Sequence, residues 1–427
     1  MNGRKQWSAW LQNASMLIYI LWLMLPAVQV RLKAATGAMA LLVFAVGVLL
    51  DGETLLRHWK AFVPRVLCVA ALPLLLLFFL NRGGSEPVGY YAQQVMFWFP
   101  LLWCAHTLQT GDKPAYRFVF LAMLLAFMVT ILTTAGWLIE GMLREGGKVF
   151  AYARSLGSGV EGRQDYLNEL MGRNIGGYGF VYAGVFALPL TFFLAGGRGW
   201  RRWAFSALYA LQLLMIVLSQ YTYAIVFAAA ITGAELLGLL FRKIFRRMSA
   251  GVSLLCAVPV LALVFLLRIP LVTGLTSLAE ALRFENIAFS FNQLLAALGG
   301  GGIAEGSRLE AYATSWNSFV SSPVFGGIFS GQARLGMHSE VLDSLAALGI
   351  AGTLAFLAAV WVIGRGVGKG LSKSPALPHL ILQWAAFIAF MAVGTVFYAR
   401  EISLTICLCI AFAVWTGRQQ SGIMEQM

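Results

Sequence analysis

The chain is built from apolar runs of about the length a helix needs to cross a bilayer's hydrocarbon core, roughly 20 residues. Twelve stand out, at 14–30, 34–50, 64–80, 89–107, 116–138, 176–195, 203–220, 221–241, 249–267, 340–364, 378–396 and 401–416. The junction at "SQY" is tight enough to make the seventh and eighth one long hairpin. Of 427 residues, 59% are hydrophobic and only 11% charged, against roughly 25% charged in a soluble domain. No stretch carries the polar surface that a soluble domain needs. The sequence therefore predicts one integral membrane domain over 1–427, an all-α polytopic membrane protein with about twelve transmembrane helices.

The first run follows a short basic start, "MNGRK", which resembles a signal peptide. No small-residue cleavage site follows it and eleven more runs do, so it reads as a helix that stays. The cysteines, Cys68, Cys104, Cys256, Cys407 and Cys409, all fall inside apolar runs without metal-ligand spacing. They read as small buried hydrophobes. Neither a metal nor another cofactor is expected.

Alternating loops differ sharply in charge. With a cytoplasmic N-terminus, 18 of the 31 Lys and Arg lie inside against 4 acids, a net of +14. The other 13 lie outside with 13 acids, a net of zero, while Glu235 falls within a run near its inner end. Positive residues concentrate on the cytoplasmic side of membrane proteins, so both termini are predicted to be cytoplasmic. The net charge of +13 is mostly a topology signal and calls for no nucleic acid. "GRGWRR" and "FRKIFRR" read as inside anchors, attracted to anionic lipid.

Two long segments then face outward, 139–175 and the larger 268–339. Within the second, Leu309, Tyr312, Trp316 and Phe319 recur at helical spacing after Arg308, predicting a short amphipathic helix at the membrane surface. "GGGG" at 299–302 reads as a hinge or tight loop, and there is no GxxxxGK phosphate-binding pattern.

Candidate chemistry collects on the outward side. His58, His106 and His379 fall at inner helix ends or in inner loops, and only His338 faces out. A lone histidine is often structural, but His338 sits where the large loop re-enters the membrane, in "RLGMHSEVLDSLAALGIAG". Partial desolvation there moves an imidazole pKa across neutrality. Ser339 reads as a helix cap and Glu340 as a first-turn charge. Asp343 lies five residues on, about 500° around a helix, and so is not stacked on His338.

In and beside the long outward segments the candidate cations are nearly all arginine: Arg144, Arg154, Arg163, Arg173, Arg283, Arg308, Arg334 and Arg400, with Lys148 as the lysine of these regions. Arginine suits two-point recognition of phosphate oxygens, while ion pairs with the outward acids are the structural alternative. Arg173 and Arg400 each abut an apolar run, where charge is costly unless paired or functional. Glu401 beside Arg400 leaves a pair open there. Outward chemistry on a membrane-embedded substrate has no ATP to draw on. A donor already activated as a lipid diphosphate fits, with arginines holding the charge of the leaving group.

"SRLEAYATSWNSFVSSPVFGG", followed by "HSEVLDSLAALGIAG" at a helix entrance, resembles the signature of the O-antigen ligase and polymerase superfamily. The resemblance covers roughly residues 170–360. It implies a GT-C-like membrane fold and a metal-independent glycosyltransferase in the bacterial inner membrane, with its site facing the periplasm. "RNIGGYGFVYAG" and "HSEVLDSLAALGI" are more similar to repeat-unit (Wzy-type) polymerases of O-antigen or capsule than to ligases. Ligases show a Ser-Arg-Gly pattern at the outer hairpin, where this chain has "LSQYTYA" with Gln220 in place of the arginine.

The implied donor and acceptor are glycans linked to undecaprenyl diphosphate, and a chain-length regulator protein stands as a candidate partner. By the resemblance, His338 is the catalytic base and Arg308 binds diphosphate; Arg173 or Arg400, which match no family position, are the candidates to replace the missing arginine. Tyr221, Thr222 and Asp343 would line the substrate. Packing, with Thr222 bonded to a backbone carbonyl, is the alternative for the hairpin pair. Two other functions compete: a ligase moving finished chains onto lipid A–core, and more remotely a lipid-linked glycan transporter. Transporters tend to show internal repeats and midplane charges; no repeat is found here.

Overall fold

The computed structural model describes residues 3–32, 35–80, 87–110, 113–144, 164–244, 268–281, short pieces between 288 and 296, 308–327, 334–365, 367, 371, 374–396 and 399–424. The described residues form helices and connecting turns, with no strand among them. In chain order the helices are α1 (Gly3–Met24), α2 (Pro26–Leu32), α3 (Ala35–Leu50), α4 (Gly52–Leu80), α5 (Pro87–Thr110), α6 (Lys113–Arg144), α7 (Gln164–Gly172), α8 (Tyr178–Ala195), α9 (Trp200–Leu218), α10 (Thr222–Ile244), α11 (Arg268–Ala281), α12 (Arg308–Ser321), α13 (Glu340–Gly364), α14 (Leu377–Val393) and α15 (Arg400–Met424).

Five of these are long and apolar enough to cross a membrane: α6, α8, α9, α10 and α13. The number rises to seven if the bent pairs α1–α2 and α3–α4 each count as one crossing. The protein is a polytopic helical membrane protein. The ninth apolar run, 249–267, lies outside the described residues, as do "GGGG", Lys148, Arg154, Arg163 and Arg283.

Three sharp breaks shape the helix framework, two of them inside predicted runs and one between two runs. The run 14–30 is divided at Leu25, where α2 turns 102° from α1. Pro26 opens α2, a position whose N–H would go unbonded anyway, and Asn174 Oδ1 takes the next N–H, that of Ala27, at 3.4 Å. Between α3 and α4 the chain turns 113° at Asp51, whose Oδ1 accepts the Thr54 N–H at 3.2 Å as an N-cap.

The third break lies inside α13, at Gly349 (φ 63°, ψ −173°). The turn 323–326 seats itself there, with Pro323 and Val324 carbonyls accepting the Ile350 and Ala351 N–H groups at 2.9 and 3.0 Å. A Cβ on Gly349 would lie 2.4 Å from Val324 O, and one on Gly326 2.5 Å from Gly349 N. Both are glycine because two backbones meet, and both have positive φ. "SSPVFGG" and "ALGIAG" are thus the two halves of one joint.

The core is centred on α8 and α15. α8 is buried from Phe180 to Thr191 and touches α9, α10, α14 and α15, as a helix apolar on all faces must. In α15, residues 402–414 are all buried. Several buried polar groups are matched across helices. Ser8 Oγ donates to Gly47 O at 2.6 Å, Trp103 Nε1 to Gln12 O at 2.9 Å and Gln383 Nε2 to Phe186 O at 2.7 Å. Glu235 pairs with His379 Nδ1 at 2.7 Å, both buried, which makes the within-run acid a lock between α10 and α14. The four described cysteines are free thiols, three of them buried.

Candidate functional site

The predicted amphipathic helix forms as α12, and its inner face builds the site. Arg308, Tyr312 and Ser315 recur at i, i+4 and i+7 and so share one side of the helix. Ser315 is buried there, whereas Trp316 and Val320 are half-exposed. Gly336 passes so close to this helix that a Cβ on it would lie 2.0 Å from Ala311 O. The Gly336 N–H donates to Ser315 Oγ at 2.8 Å, and Arg334 N–H to Ser318 Oγ at 3.1 Å. Loop 334–339 is stitched along α12 and delivers His338 to the start of α13.

Asp343 anchors this arrangement. Its Oδ1 accepts Ser315 Oγ at 2.5 Å, and the Met337 and Ser339 backbone N–H groups also face the buried carboxylate. Met337 adopts a left-handed φ of 61°, uncommon for a non-glycine residue and characteristic of functional loops held by their surroundings. Ser339 caps α13 as expected, accepting the Leu342 N–H at 3.2 Å. Glu340 does more than complement the helix dipole: its Oε2 accepts the Val396 N–H at 2.9 Å. Both acids are engaged in structure, whereas the exposed His338 makes no hydrogen bond among the described residues.

Arg308 completes the site. Its guanidinium lies 4.3 Å from the centroid of the Tyr223 ring, a cation–π distance, and its charge reaches the Tyr312 hydroxyl. Tyr312 in turn donates to Val393 O at 2.9 Å. Among the described residues no carboxylate comes within ion-pair distance of Arg308, so its charge has no acidic partner there. That charge reaches His338, and together with partial burial it holds the imidazole below its ordinary pKa of 6.5, with Asp343 pulling the other way. Burial also raises the Tyr312 phenol pKa, with Arg308 opposing. His338 is therefore biased toward its neutral form, which accepts a proton.

The other predicted residues fall elsewhere or at the rim. Tyr221, in the α9–α10 turn, sets its ring 5.3 Å from Tyr178 and 6.2 Å from Tyr182, two tyrosines within electrostatic reach of Arg308. Thr222 opens α10 one residue before Tyr223. Arg173 is exposed and pairs with Glu169 one turn back at 2.5 Å, as Arg144 does with Glu140. The neighbour of Arg173, Asn174, is the structural member of "RNIGG": its amide donates to Thr130 Oγ1 at 2.9 Å and its carbonyl accepts Thr133 Oγ1 at 2.6 Å.

Arg400 lies 5.0 Å over the Trp22 ring, with Nη1 3.9 Å from Met96 sulfur. It makes no ion pair with Glu401, whose carboxylate packs against Gly179 near the start of α8. No described interaction joins Arg173 or Arg400 to His338. Three residues central to the site were not singled out from the sequence: Tyr223, Tyr312 as a partner of Arg308, and Ser315. The i, i+4, i+7 spacing from Arg308 was the available signal, hidden by the stronger apolar stripe beside it.

No protein-family profile matches this chain, and no curated protein resembles it significantly. The site has to be read from its own chemistry, which is one free guanidinium, one neutral-biased imidazole and a buried carboxylate that fixes the loop between them.

Proposed function

We propose that the protein is a membrane glycosyltransferase that polymerises undecaprenyl-diphosphate-linked repeat units into O-antigen or capsular polysaccharide. In this reading twelve transmembrane helices form a GT-C-like fold in the inner membrane, with both termini cytoplasmic and the site facing the periplasm. His338 removes the proton from an acceptor hydroxyl as its oxygen bonds to the anomeric carbon of the donor. The bond from that carbon to the diphosphate oxygen breaks, and Arg308 holds the negative charge of the departing lipid diphosphate. No metal enters this scheme. Arg173 and Arg400 would meet diphosphate at other points of the path, with Tyr221, Thr222 and Asp343 near the sugars.

The observation that carries the proposal is that Ser315 ties α12, which opens on Arg308, to the loop that carries His338, so that the imidazole lies within reach of a charge with no acidic partner among the described residues. The test is the lipid-linked glycan that accumulates in a deletion strain. A single repeat on the lipid supports polymerisation. Full-length chains left on the lipid would replace it with ligation onto lipid A–core, and normal surface glycan would remove both.

A further inference from the structure

Three buried polar atoms lie at the turn between α9 and α10 with nothing to bond. The Gln220 side chain is 2% exposed, and neither its amide nitrogen nor its amide oxygen has a hydrogen-bond partner. The hydroxyl of Tyr221 is likewise buried and unpartnered. Such groups are rare, because each keeps the cost of leaving water without the bond that offsets it. The turn does satisfy other polar groups: adjacent Ser219, equally buried, donates its Oγ to Ile216 O at 2.7 Å. Gln220 is also in the left-handed region, at φ 52°, a conformation that a non-glycine residue holds at an energetic cost. Two separate penalties fall on one residue.

We infer that this turn is a subsite for the hydroxyl-bearing ring of the sugar next to the diphosphate. The Gln220 amide bonds one hydroxyl as donor and another as acceptor, and the Tyr221 hydroxyl makes a third contact. The inference rests on the glycosyl-transfer reading of the Arg308–His338 site. The chemistry selects sugar over phosphate. An amide offers N–H donors and a carbonyl acceptor side by side, whereas phosphate oxygens at neutral pH only accept and would leave the carbonyl orphaned. Sugar hydroxyls do both.

The placement agrees with this division of labour. Tyr221 sits against Tyr178 at 5.3 Å, the charge of Arg308 reaches Tyr178, and Arg308 stacks on Tyr223 two residues along. The cation takes the diphosphate and the uncharged amide lies beside it. The polar atoms are closed to solvent, so a sugar reaches them only as the turn opens.

A packing role for Gln220 makes the opposite prediction about stability, which gives the test two readouts. Wild type, Gln220→Leu and Tyr221→Phe are purified as full-length chains in nanodiscs. The ligands are undecaprenyl diphosphate alone and the lipid-linked glycan extracted from the source cells. The unliganded Tm of both variants should equal or exceed that of wild type, because orphaned polar groups have been removed. Their Kd for the bare lipid diphosphate should not change. Affinity for the glycan-bearing lipid should fall about 10-fold in Tyr221→Phe and about 100-fold in Gln220→Leu, one bond against two or three.

A lowered unliganded Tm with equal loss for both lipids would make Gln220 a packing residue. Equal loss at unchanged Tm would make it a diphosphate contact. Either overturns the subsite, as does wild-type binding of the glycan-bearing lipid by both variants. If wild type itself binds neither lipid, the glycosyl-transfer reading fails first and the subsite falls with it.

Discussion

Ser315→Ala isolates the link between α12 and the loop that carries His338. In the native protein one hydroxyl serves two partners, donating to Asp343 Oδ1 at 2.5 Å and accepting the Gly336 N–H at 2.8 Å. A hydrogen bond to a charged group contributes about 1.5–3 kcal/mol, and an orphaned buried N–H costs about 1–3 kcal/mol. Water entering the vacated space recovers some of that, so the loop should lose on the order of 2–4 kcal/mol of local stability. Amide exchange across residues 334–339 should then speed up by about 30- to 1,000-fold while the core of α8 is unaffected. Misplacing the base should lower the transfer rate about 10- to 100-fold with little change in KM. Hydrogen-exchange mass spectrometry and a transfer assay on the same nanodisc preparation read both effects. Wild-type exchange through 334–339 together with a wild-type rate would show that Ser315 and Asp343 do not hold the loop.

Arg308→Lys should recover little of the activity lost in Arg308→Ala, since lysine cannot make the planar two-point contact. Each lost charge-assisted contact costs about 2–3 kcal/mol, or about 30- to 150-fold in rate, and normal turnover by the lysine variant would contradict the diphosphate role. Arg308→Gln should also move the His338 titration upward, because one of the two influences holding it down is removed; a pH profile unmoved by the change would separate the two residues. Gly349→Ala should cost about 3 kcal/mol or more in thermal stability. The left-handed backbone accounts for about 1–2 kcal/mol, and the added Cβ meets Val324 O at 2.4 Å; a wild-type Tm would mean that α13 is not broken there. Cysteines placed at Ser158 and Gly302 should react with an impermeant reagent on intact spheroplasts, and reaction only after lysis would reverse the orientation.

Much of the helix framework was legible because a span's apolar composition is its defining physical requirement. Of the twelve runs, all but 249–267, which lies outside the described residues, fall on helices. The breaks were not legible for a related reason. Hydropathy is blind to backbone conformation, and "LAALGIAG" reads as continuous although Gly349 interrupts it. The partner of that break, "SSPVFGG", is distant in sequence, so neither glycine could be explained without the other. At the site, His338 and Arg308 could be picked out as the lone outward histidine and a loop arginine. That the charge of Arg308 reaches His338 could not, since it depends on Gly336 passing close to Ala311 and on the Ser315 bridge. Arg173 is the charged residue of "GRNIGG", yet its bonds are local, and it is Asn174, with a short uncharged side chain, and the Gly176 N–H that bond across to α6.

The most direct test of the central claim is the pH dependence of glycan transfer by wild type and His338→Ala, measured with purified protein and lipid-linked donor. A base works in its neutral form, so the rate should climb as pH rises through the imidazole pKa. Partial burial and the Arg308 charge lower that pKa, which places the midpoint of the climb below the ordinary imidazole value. His338→Ala should insert and fold as wild type does, lose about 100-fold or more in rate, and show no such climb. Wild-type chain formation by the alanine variant, or a climb that persists unchanged without the imidazole, would contradict the account and move the base to another group.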